Sequence, residues 1–63
     1  MKTIRESIEQ IPAKDFYFGG YESITFEAYG DDIFFIHDCP ETITGKEGIK
    51  GYFLRNLDRV IKE

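Results

Sequence analysis

The chain lacks the staples by which very small proteins usually hold themselves together. It has one cysteine, Cys39, and one histidine, His37, so it can close no internal disulfide and offers too few soft ligands for a structural zinc site. Tryptophan is absent and proline occurs twice. No run of about 18 apolar residues is long enough to span a bilayer, and the polar-interrupted start after Lys2 does not read as a secretory signal. With the unpaired thiol, these absences point to a cytoplasmic setting. Nor is there a G-x-G-x-x-G fingerprint, a phosphate loop ending in Gly-Lys-Ser or Gly-Lys-Thr, or the calcium loop of an EF-hand.

What remains is a folding composition. Of 63 residues, 41% are apolar and 16% aromatic, above what disordered chains carry. A chain this short buries only about 60% of the surface its unfolded form exposes. It therefore reads as one compact α+β domain over residues 1–63, with association as the expected source of extra stability.

Thr3-Ile4-Arg5-Glu6 has the form of a capping box, and Ile4, Ile8 and Ile11 recur on one helical face until Pro12 ends the run. Phe16-Tyr17-Phe18 is β-prone, bounded by Gly19-Gly20 as a turn or bulge. Ile24, Phe26 and Ala28 then alternate with polar neighbours, and Ile33 to Ile36 follow as an unbroken apolar run, predicting a β-hairpin over 22–38. Thr44-Gly45-Lys46-Glu47 repeats the capping-box form. Ile49, Phe53, Leu57 and Val60, flanked by Tyr52, Leu54 and Ile61, predict an amphipathic C-terminal helix running to Lys62, with Asp58 and Lys62 paired at i,i+4. The expected fold is a short N-terminal helix, an antiparallel sheet of two or three strands and a C-terminal helix.

The hairpin carries the first functional signal. A two-residue Gly30-Asp31 turn would set Phe26 against Phe35 and Ala28 against Ile33, whereas a three-residue Gly30-Asp31-Asp32 loop would bring Phe34 and Ile36 to the core face instead. Either register leaves two large apolar side chains on the second face. One helix per face, or the N-terminal segment folded over the second face, would cover them. We expect instead that the second face is an interface and that the chain is a homodimer, with Ile33, Phe34, Phe35, Ile36, Leu54 and Ile61 as candidates for the dimer contact.

Charge carries the second. The chain has a net charge of −4, but residues 15–45 hold seven acids and no Lys or Arg, while the flanks hold five acids and eight bases. The hairpin half thus carries −7 and the flanks +3. An acidic surface interleaved with tyrosines repels phosphate backbones and attracts basic proteins. The expected partner-binding residues are Tyr21, Glu22, Glu27, Tyr29, Asp31 and Asp32, with Tyr17 among the same aromatics, and the expected partner is a larger protein with a basic groove. The alternative is a weak nucleic-acid or nucleotide binder using Lys46, Lys50, Arg55, Arg59 and Lys62 on the C-terminal helix, against which the interspersed Glu47 and Asp58 argue.

Catalytic chemistry finds little footing. In an extended strand His37 and Cys39 would share a face, yet no oxyanion donor or second base accompanies them. Asp31-Asp32 is a commonplace turn pair, and the Gly45-to-Gly48 G-x-x-G unit is a weak anion signal; Gly48 and Gly51 read instead as places where the helix start approaches the sheet or a second copy closely. We expect no catalytic residues, no metal and no cofactor. The expected role is an inhibitor or regulator acting by contact, with a structural subunit of a larger assembly as a further class. In composition alone the chain resembles the compact acidic inhibitors that bacterial viruses and mobile elements direct at host machinery.

Overall fold

The computed structural model describes residues 1–19, 24–40 and 42–63. Helix α1 (Ile4–Gln10) starts at the expected capping box: the Glu6 N–H donates to Thr3 Oγ1 at 3.1 Å, and the Thr3 N–H donates to Glu6 Oε1 at 3.1 Å. These reciprocal bonds satisfy two backbone donors, and the Thr3 N–H and hydroxyl, both donating to Glu6 Oε1, hold its carboxyl below the ordinary pKa. Ile8 and Ile11 are buried while Ile4 stays exposed.

A 3₁₀ turn (Ala13–Asp15) leads into β1 (Phe16–Gly19), followed by β2 (Thr25–Tyr29), β3 (Ile33–His37), helix α2 (Gly45–Arg55), a second 3₁₀ turn (Leu57–Arg59) and β4 (Ile61–Lys62). The strands form one antiparallel sheet in the order β1-β2-β3-β4. The aromatic run at Phe16 is therefore a third strand, and the C-terminus supplies a fourth.

The C-terminal helix stops seven residues before the expected Lys62, for a local reason. The Asn56 side-chain amide donates to the Tyr52 carbonyl at 2.9 Å, taking the acceptor that its own backbone N–H would use in a continuing helix. That N–H turns to the Phe53 carbonyl instead, at 3.2 Å. The chain tightens into 3₁₀ geometry, and Leu57 and Val60, three residues apart, still pack against the core. Lys62 is thereby carried to Asp32 at 3.4 Å, which replaces the expected pairing with Asp58. At the other end of α2, Thr44 occupies the N-cap position without a side-chain cap hydrogen bond. Gly45 opens the helix with a φ of 74°, a left-handed entry that turns the first amides away from the threonine hydroxyl.

The hairpin adopts the three-residue loop. Phe26 pairs with Ile36, Ala28 with Phe34, and Tyr29 with Ile33. Phe16, Phe26, Ala28, Phe34 and Ile36 consequently share one face and are buried with Ile8, Ile11, Ile49, Tyr52 and Phe53. Edge-to-face contacts of Phe16 with Phe53, at 5.1 Å between centroids, and of Phe26 with Tyr52, at 5.9 Å, seat α2 on this face. The α1 residues Ile8 and Ile11 enter the same core. Gly30 is required here for space rather than for a left-handed turn, since a Cβ would lie 2.8 Å from Ile11 Cγ1. Gly48 and Gly51 do not serve close approach to the sheet: a Cβ there would meet Ile43 Cγ2 at 3.3 Å and Arg55 Nη1 at 3.0 Å, respectively.

Candidate functional site

Because both helices pack on the Phe26 face, no described helix covers the other. Alternation along the paired strands places Tyr17, Gly19, Thr25, Glu27, Tyr29, Ile33, Phe35, His37 and Ile61 on that open face. Tyr17, Tyr29 and Ile61 are 44%, 40% and 46% exposed, and Ile33, Phe35 and Glu27 are half-buried by their neighbours in the sheet. This assigns the interface candidates: Ile33, Phe35 and Ile61 face outward. Phe34 and Ile36, 2% and 0% exposed, belong to the core because the longer loop shifts the register by one residue, and Leu54 packs against the core from α2.

The centre of the face is an organised aromatic and carboxylate group. Tyr17 on β1 and Tyr29 on β2 meet edge to face at 5.3 Å between centroids. The Tyr29 hydroxyl donates to Glu27 Oε1 at 2.7 Å. Glu27 Oε2 lies over Gly19, where an added Cβ would come within 2.6 Å of it; the glycine leaves room for the carboxylate to lie flat on the sheet. Glu63 follows β4, its backbone N–H donating to the Ile33 carbonyl at 2.9 Å. The hydrogen bond to Glu27, with burial and the charges of Glu27 and Glu63, raises the Tyr29 phenol above its ordinary pKa of 10.0. Tyr29 therefore remains a neutral hydrogen-bond donor beside two carboxylates.

The margins are stitched by cations from outside the hairpin. Lys46 Nζ donates to the Lys14 and Phe16 carbonyls, each at 3.1 Å, and stands 4.2 Å from the Tyr17 ring centroid. On the far side Arg59 Nη2 donates to the His37 carbonyl at 2.6 Å and Nη1 to the Tyr52 hydroxyl at 2.7 Å. Lys50 Nζ donates to the Glu9 carbonyl at 3.0 Å, tying α2 to α1. Of the cations proposed for nucleic acid, Lys46, Lys50, Arg59 and Lys62 are thus committed to contacts within the fold, on several sides of it. A phosphate backbone would have to compete for them.

The remaining expected site residues are dispersed. Asp31 and Asp32 are exposed in the β2–β3 loop, with Asp32 paired to Lys62. Tyr21 and Glu22 lie outside the described residues. His37 and Cys39 do not share a strand face, because Asp38 has a φ of 57° and turns the chain between them. Cys39 enters the core, its thiol donating to the Ile36 carbonyl at 3.2 Å and its pKa raised by burial, while His37 Nδ1 stays exposed 3.1 Å from Thr25 Oγ1. Among the described residues, no three His, Cys, Asp or Glu side chains converge as metal ligands, and no helix is long and apolar enough to cross a membrane.

Tyr17 joins the expected acidic, aromatic surface at its centre, and Glu63 is a member that the sequence pattern does not indicate. Tyr17 could be placed opposite Glu27 only once β1 was known to pair with β2. Glu63 followed a segment read as helix, so nothing in the pattern set it beside Tyr29. No protein-family model, curated protein or solved structure matches the chain.

Proposed function

We propose that the chain is a small acidic protein-interaction module, an inhibitor or regulator that binds a larger protein through the open face of its sheet. The observation that carries this reading is the one-sided packing. Both helices lie on the Phe26 face, leaving Tyr17, Tyr29, Phe35, Ile33 and Ile61 together on the other, around Glu27. A face whose aromatic and aliphatic side chains surround a carboxylate has the make-up of a binding surface, since large aromatics contribute contact area at low entropic cost. Cytoplasmic residence suits the free Cys39, and the compositional likeness to inhibitors carried by viruses and mobile elements fits a role exerted by contact.

Face binding suits this sheet better than edge pairing. Lys46 occupies the Phe16 carbonyl at the β1 edge, while β4 and Arg59 occupy the outer edge of β3. Short edge strands and inserted cations are the usual obstacles to strand addition.

The test is affinity capture from an extract of the producing cell, comparing the wild type with Phe35→Lys/Ile61→Lys on the face and Asp31→Lys at the loop, each checked for folding by circular dichroism. The face variant should lose the protein that the wild type captures, and the loop variant should retain it with lower yield at low salt. Equal capture by the face variant would refute the reading.

A further inference from the structure

The open face is specific in its charge. Its described polar side chains include the Glu27 and Glu63 carboxylates, the Tyr17 and Tyr29 hydroxyls, Thr25 and His37, while its aliphatic and aromatic area comes from Ile33, Phe35 and Ile61. No Lys or Arg projects from the described strand positions of this face. Lys46 reaches only the β1 margin, where two carbonyls hold it against Tyr17. That contact shows the Tyr17 ring accepting an ammonium on its surface.

From this placement, and resting on the function proposed above, we infer that the occupant of the open face is a basic, partly apolar segment of another protein. One of its arginine or lysine side chains sits on the Glu27 carboxylate against the Tyr29 ring, and its apolar side chains cover Ile33, Phe35 and Ile61. Glu27 is prepared for this: the Tyr29 hydroxyl orients one oxygen, and Gly19 leaves space beneath the other. A guanidinium could take the carboxylate by two parallel hydrogen bonds while stacking on the neighbouring phenol. Glu63 adds a second negative charge beside Tyr29, which favours a cation further.

A second copy of the chain fits this surface poorly. A two-fold contact sets the same patch against itself. Two copies would then bring both Glu27 and both Glu63 carboxylates toward one interface, with no Lys or Arg from the described positions of either face to pair them. Like charges confined in this way oppose association.

The probe is a blocked hexapeptide alternating arginine and leucine, titrated into the isotope-labelled protein by NMR, with the glutamate–leucine peptide as control. The arginine peptide should shift Tyr17, Glu27, Tyr29, Ile33 and Phe35 saturably, and binding should weaken as salt rises. Glu27→Gln, which keeps the shape of the side chain, should weaken it about tenfold through loss of one charge-assisted bond, and Asp58→Asn on the second 3₁₀ turn should leave it unchanged. Shifts spread evenly over the acidic residues, equal binding of the glutamate peptide, or an unaffected Glu27→Gln would overturn the inference. So would concentration-dependent shifts of the same residues without peptide, together with sedimentation at twice the monomer mass, which would give the face to a second copy. Capture of a partner through the face that is insensitive to salt, with no response to the arginine peptide, would overturn the basic occupant while leaving the proposed function standing. Loss of face-dependent capture would strike the function itself.

Discussion

Phe34 and Phe35 are chemically identical neighbours on β3 that point in opposite directions, so truncating each in turn measures the one-sidedness of the fold. Phe34 is 2% exposed, opposite Ala28 and within the core that both helices cover. Replacing it by alanine should cost about 3–5 kcal/mol, from lost burial and the cavity left behind. A chain of this size has a total stability of about 3–9 kcal/mol, so Phe34→Ala should lose at least about a third of it and at the lower end should unfold. Phe35 lies across the strand from Glu27 and Ile61 on the open face and is only half-buried. Its truncation removes part of the roughly 1.5–3 kcal/mol that full burial of such a side chain contributes, or about 1 kcal/mol. At about 4–8 °C per kcal/mol for a domain this small, the two melting temperatures should differ by at least about 8 °C. Urea and thermal unfolding followed by circular dichroism, each at two protein concentrations, make the comparison. Equal losses would refute the open face, and a larger loss at Phe35 would indicate the two-residue turn and its opposite register. A Phe35→Ala effect that depends on protein concentration would mean that another copy covers the face in solution.

Two glycines should respond in opposite senses. Gly30→Ala forces a Cβ to 2.8 Å from the buried Ile11 and should destabilise by about 1–3 kcal/mol, whereas Gly51→Ala meets only the flexible Arg55 guanidinium and should stabilise α2 by about 0.5–1 kcal/mol, both read by urea unfolding. Tyr29 should titrate above the ordinary tyrosine range, and Glu27→Gln should bring it down, as followed by its ring carbon resonance; a Tyr29 midpoint unmoved by that substitution would refute the contact. Because the folded pKa is the higher one, the stability tied to this proton is fully present below the unfolded value near pH 10 and is lost as pH rises through the folded value.

Local signals in the chain were sufficient wherever neighbouring residues settle the outcome. The Thr3–Glu6 capping box forms because both partners lie within one turn, and β2 is half-buried as its alternation of Phe26 and Ala28 with polar residues requires. Pro12 closes α1, and the apolar spacing of Ile49 and Phe53 places both in the core. Local signals mislead where another hydrogen bond or a left-handed residue overrides the pattern. Thr44-to-Glu47 has the letters of a capping box, but a left-handed Gly45 leaves the hydroxyl unused. Leu57 and Val60 have helical spacing, yet the Asn56 amide ends α2 before them. Asp38 separates His37 from Cys39 by a backbone turn that a strand pattern does not contain.

The sequence by itself therefore determined that a small α+β domain would form, that its hairpin would have apolar residues on both faces, and that negative charge would concentrate in its middle. Those are properties of composition and of period-two alternation, which any register preserves. Only the tertiary structure decided which pair of apolar residues lies inside, because one residue in the loop shifts every side chain of β3 to the other face. It also decided that both helices share one side, that Lys46, Arg59 and Lys62 return to the sheet margins, and that Tyr17, Tyr29, Glu27 and Glu63 meet on the other side. Each of these joins residues distant in the chain, and such contacts form only when the core has selected one packing from several that the pattern allows.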